Sequence, residues 1–152
     1  MRRSINALCL SATALMLLPT GVVAQQKSLK EQIQGPWSFV SCNDTNAKGE
    51  KTFRCANNPR GILILAGNGN YANTVITSGR KDAEAPGVEA NFGTWSVNEA
   101  DKTLTRHRVG ARDPAAEGRD FKANISLNGE ELRITGINRE GEKIDSTYRR
   151  FK

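Results

Sequence analysis

His107 is the single histidine of this 152-residue chain, and Cys42 and Cys55 are two of its three cysteines. These are the side chains whose types most readily do chemistry. His107 sits in "NFGTWSVNEADKTLTRHRVG", Asn91 to Gly110, which reads as two strands joined by a polar turn. A histidine acting as a general base needs a nucleophile within reach and a carboxylate to orient it. No G-x-S-x-G, H-E-x-x-H or phosphate-cradling loop occurs in the sequence. Gly67-Asn68-Gly69 has no helix behind it, so it reads as a hairpin turn. No catalytic residue is expected. The plainest role for His107 is that of a strand residue near a rim. Its other role is a ligand contact, with Thr105 and Val109 as companions on the same strand face. Tyr71, Trp95 and Tyr148 each offer an apolar wall with a polar tip. The expected ligand-binding set is therefore Tyr71, Trp95, Thr105, His107 and Tyr148. Core packing is the competing role for the aromatics, and the ordinary one for Trp37, Phe39, Phe92 and Phe121.

The cysteines point to a compartment. Met1-Arg2-Arg3 is a short basic start, followed by an apolar run to Val23 that Pro19-Thr20-Gly21 interrupts. Val22 and Ala24 are small residues at the −3 and −1 positions of a cleavage site. Residues 1–24 are read as a secretory signal peptide and residues 25–152 as one exported domain. In an oxidising compartment Cys42 and Cys55 are expected to form a disulfide, worth roughly 3 kcal/mol for a loop of this size; two free thiols are the alternative. Their spacing with one histidine fits no zinc motif, so neither metal nor cofactor is expected. The formal charge of +6 falls when Arg2 and Arg3 leave, and the remaining excess is scattered. That argues against a nucleic-acid face, which would be continuous and interleaved with aromatics. No later apolar run is long enough to span a bilayer.

These groups must be held by strands. Ser28 and Glu31 are spaced as a capping box for a short helix ended by Gly35-Pro36. Beyond it the pattern alternates with period two. "WSFVSC", "KTFRC", "GILILA", "YANTVIT", "FGTWSV", "KTLTRHRV", "RDFKANISL", "ELRITGI" and "KIDSTYRRF" are the strand candidates. "GILILA" is apolar on both faces and is expected to be well buried. Asn128-Gly129 signals a tight hairpin. Ser78 to Ala90 is the longest irregular stretch and the candidate lid. Eight or nine strands with short connections leave no room for parallel crossovers. The fold expected is an all-β, up-and-down antiparallel barrel of about eight strands with a short N-terminal helix, since closure removes the exposed edges.

The order of the segments "GPWSFVSC", "PRGILILAGNGNYAN", "FGTWSVNEADKTLTRHRVGARDPAAEGRD" and "ISLNGEELRIT" resembles the bacterial and fungal lipocalin-like domain family, a calycin-type barrel. The resemblance implies an internal pocket for small apolar molecules. It also implies that the first-strand tryptophan, Trp37, is covered by a cationic side chain of the last strand, Arg149 or Arg150. Family members carry a histidine where Arg106 stands, eight residues before Pro114. Either Arg106 replaces it or His107 keeps its role; a one-residue shift decides which of them faces inward.

The function expected is non-covalent binding of a small, largely apolar or amphipathic ligand inside the barrel. Two other classes compete. One is an isomerase or cyclase using the same pocket. The other is a packed barrel acting through a surface patch of Arg106, Arg108, Arg112 and Arg119 on an acidic partner.

Overall fold

The computed structural model describes residues 26–52, 55, 58–77 and 87–152. The expected signal peptide and residues 78–86 of the expected lid lie outside the described residues. Eight antiparallel strands form a closed barrel in chain order. They are β1 (Gly35–Cys42), β2 (Arg60–Leu65), β3 (Asn70–Thr77), β4 (Gly87–Asn98), β5 (Thr103–Ala111), β6 (Asp120–Asn128), β7 (Glu131–Ile137) and β8 (Lys143–Arg150). β1 also pairs with β8, from Trp37↔Arg150 to Cys42↔Ser146, which closes the wall.

One end is plugged. Helix α1 (Leu29–Ile33) starts at Ser28, whose hydroxyl accepts from the Glu31 amide while Glu31 accepts from the Ser28 amide. Glu99, in the β4–β5 turn, takes the amides of Leu29 and Lys30, each at 2.9 Å. Those amides have no partner within the helix, so this contact holds α1 across the barrel end. Ile33 points into the core, and the Trp37 indole donates to its carbonyl at 2.8 Å.

The alternation of each strand builds the core. Trp37, Leu63, Leu65, Leu104, Leu132, Ile134 and Tyr148 are all essentially inaccessible to solvent. Phe39 meets Tyr148 edge-on, with ring centroids 5.3 Å apart. Two expectations fail against the same alternation. Leu63 and Leu65 face inward, but Ile64 between them is exposed, because a strand with one solvated face buries alternate residues only. Phe92 is likewise on the outer wall, 56% exposed, with Asn91 and Gly93 facing in. The β6–β7 connection is Gly129-Glu130, with Gly129 at φ 58° and Asn128 already paired to Glu131. The turn expected at Asn128-Gly129 is thus displaced by one residue.

Candidate binding cavity

Among the described residues the other end of the barrel is open. A cavity of about 660 Å³ lies there, within the size range of small-molecule sites. Its walls come from the start of β4, the end of β5, the start of β6 and the β7–β8 turn. The β6–β7 ladder helps to form it. β6 begins at Asp120 and β7 runs to Ile137, yet the two pair only from Asn124↔Thr135 to Asn128↔Glu131. The ladder stops there, with Gly136 still close against Lys122 and Ala123, and Phe121, Lys122, Ile137 and Asn138 line the cavity beyond it.

Beneath the cavity is a polar layer, set by period-two alternation on three adjacent strands. Tyr71 and Asn73 face inward from β3, Glu89 and Asn91 from β4, and Arg106 and Arg108 from β5. Asn73 and Asn91 are directly opposite each other. Both amide nitrogens donate to Glu89 Oε1, at 3.3 and 3.2 Å. The Arg106 guanidinium lies 4.8 Å from the Phe121 ring centre and 5.5 Å from that of Tyr71. Arg108 stands over the same Phe121 ring at 5.7 Å. Burial raises the Tyr71 pKa above its ordinary value; Arg106 and Arg108 oppose that shift and Glu89 adds to it.

A bulge makes this arrangement possible. Phe92 pairs with Gly110 while Gly93 pairs with Arg108, leaving Val109 as the extra residue. A Cβ at Gly93 would collide with the His107 carbonyl oxygen, so the close approach of β4 and β5 needs glycine there. The Phe92 ring lies over Gly110 on the outside, where a Cβ would also collide.

The residues expected from sequence separate into groups. Arg106 faces inward at 6% exposure, and His107 faces out. The inward His107 reading is corrected: its Nδ1 is 2.8 Å from Asp120 Oδ1, directly across the β5–β6 ladder, with both side chains about half exposed. Thr105 and Val109 share that outer wall, with Thr105 between Ser96 and Lys122. Among the described residues no hydroxyl or thiol is hydrogen-bonded to His107, so the pair stands without a nucleophile. Trp95 and Tyr148 face inward but belong to the plugged end. The Trp95 indole donates to the Ala66 carbonyl at 2.9 Å under Lys30, and Tyr148 packs on Phe39. Tyr71 alone of the five meets the polar layer. Arg106, Arg108, Arg112 and Arg119, expected as a surface patch, all line the cavity, with Arg106 buried and Arg112 and Arg119 exposed at its rim. Asn73, Glu89 and Asn91 were missed as site residues. Their signal was available, since they keep the same two-residue step as Tyr71 and Trp95.

At the plugged end Arg150 covers Trp37, 3.9 Å from the ring centre, and donates to the carbonyls of Gln32 and Gln34. Arg149 points out toward Glu131, 4.0 Å away. The Cys42–Cys55 disulfide forms, with its Cα atoms 5.3 Å apart. It fastens the β1–β2 connection to the rim, where Thr52 reaches the cavity wall. Beside it the buried Asp44 carboxylate accepts from the Asp145 amide at 2.7 Å. Cys42, Asp44 and Cys55 place ligand-type atoms together, but the bridge consumes both thiolates.

No protein-family profile matches the chain, and no curated protein is significantly similar to it. A solved structure described as a redesigned β-barrel is similar over 83% of this chain and 100% of its own, at 14% identity and a TM-score of 0.49. The barrel assignment rests on the strand pairing of this chain itself: an all-β, closed, eight-strand up-and-down barrel with a short N-terminal helix.

Proposed function

We propose that this protein is an exported binding protein that holds a small amphipathic molecule in the open end of its barrel. The observation that carries the reading is the cavity of about 660 Å³ above a buried polar layer, in a barrel whose other end is filled. Apolar area at Phe121, Ile144 and the β7 end supplies contact, and the polar layer orients the guest. The ligand is amphipathic rather than purely apolar, because a hydrocarbon laid against the Arg108 guanidinium would strip its water and give it no partner. The disulfide and the apolar amino-terminal stretch support export. The covering of Trp37 by Arg150 supports kinship with lipocalin-like barrels.

Native mass spectrometry of the protein purified gently from its own host tests this reading. A stoichiometric extra mass, released on denaturation, is expected. A bare mass, combined with no thermal shift across medium-chain acids and alcohols, would refute it.

A further inference from the structure

The polar layer has a donor and acceptor pattern that defines its guest. Glu89 accepts from the amide nitrogens of both Asn73 and Asn91, which fixes the orientation of both side chains. Their Oδ1 atoms are then left buried without a hydrogen-bond partner among the described residues, as is the Tyr71 hydroxyl. Asn73 and Asn91 are only 1% and 7% exposed, and of the two Asn91 lines the cavity. Three unmatched polar atoms in one layer are unusual, because leaving a buried donor or acceptor unsatisfied is destabilising.

Charge adds the second half of the pattern. The inward groups of β3, β4 and β5 are two guanidinium groups and one carboxylate. Arg108 lies against the Phe121 ring on the cavity wall, and no carboxylate of the described residues is within ion-pair distance of it. The layer therefore carries one positive charge in excess, at the face the cavity exposes.

We propose that the layer is a headgroup site for a carboxylate that carries a hydrogen-bond donor on the adjacent carbon. The carboxylate is received by Arg108, and the neighbouring donor is matched to the Asn91 carbonyl. A plain carboxylate would satisfy the charge and leave the Asn91 amide oxygen bare. An alcohol would satisfy an amide oxygen and leave the charge. The inference rests on the cavity being a binding site and adds to that reading the chemistry of its guest.

Calorimetric titration of the purified protein with 2-hydroxydecanoate, decanoate and 1-decanol tests it. 2-Hydroxydecanoate is expected to bind at least about tenfold more tightly than decanoate, and decanoate at least about tenfold more tightly than decanol. Arg108→Gln is expected to remove the preference of the acids over the alcohol. Asn91→Ala is expected to remove the preference of the hydroxy acid over the plain acid. Arg108 is partly exposed, so its variant should fold, and a thermal melt checks both. Equal affinities for all three probes would overturn the headgroup site while leaving the cavity reading intact. Equal affinities for the two acids would overturn the donor match. No binding of any probe would overturn both readings.

Discussion

The two ends of this barrel use the same pair of parts, an arginine over an aromatic ring, and reach opposite results. At the plugged end Arg150 lies on Trp37 and gives its remaining donors to the Gln32 and Gln34 carbonyls. Those carbonyls close α1, so the partly buried charge is matched within the chain. At the open end Arg108 lies on Phe121, and its guanidinium has no hydrogen-bond partner among the described residues. Nearby amide oxygens are likewise unmatched. A buried polar group that the chain satisfies contributes to stability; one that it leaves open costs stability until something binds. The first end is built for permanence and the second for exchange.

Substitutions should separate the two ends, beginning with the largest effect. Trp37→Ala removes the largest fully buried side chain and is expected to cost about 3–5 kcal/mol, read as a fall in denaturation midpoint. Replacing both Cys42 and Cys55 by serine should cost roughly 3 kcal/mol. It should also speed amide exchange around the rim more than around α1. Arg150→Met strands two helix carbonyls and is expected to cost about 2 kcal/mol. Arg108→Gln should change stability by less than about 1 kcal/mol, and a similar cost for the two arginine variants would erase the distinction between the ends.

Tyr71 gives a smaller, pH-dependent test. Burial raises its pKa, so the folded state holds the phenolic proton more tightly than the unfolded chain does. This contribution to stability is whole below the unfolded value near 10 and is lost as pH rises through the folded value. Tyr71→Phe should flatten that part of the alkaline stability curve. The smallest effect belongs to His107→Ala. It removes a half-exposed pair with Asp120 and should cost under about 1 kcal/mol, with ligand affinity unchanged.

Period-two alternation made the barrel legible, because hairpin turns and inward apolar rows repeat along nearly the whole chain. The limits of the sequence reading lay in phase. Arg106 and His107 are adjacent, and nothing local to them says which faces in; the register against β4 decides it. The bulge at Val109 obscures the phase further by adding a residue to β5. "GILILA" and Phe92 misled for a related reason: apolar character favours burial but does not enforce it on the outer wall of a barrel. The polar layer was hidden by residue type. Asparagine and glutamate in a strand suggest solvent, and only the strict step from Tyr71 to Asn73, and from Trp95 back to Asn91 and Glu89, places them inside.

The ladder between β1 and β8 carries a consequence for how the molecule assembles. The other seven ladders join strands that follow one another in the chain, so each can zip from its own connection. Trp37↔Arg150 joins the strands that are farthest apart. Its ordering entropy is the largest of the set, and its register has no hairpin to set it. The arginine–indole stack therefore needs the whole meander to have curled, which makes the surroundings of the Trp37 indole a reporter of barrel closure.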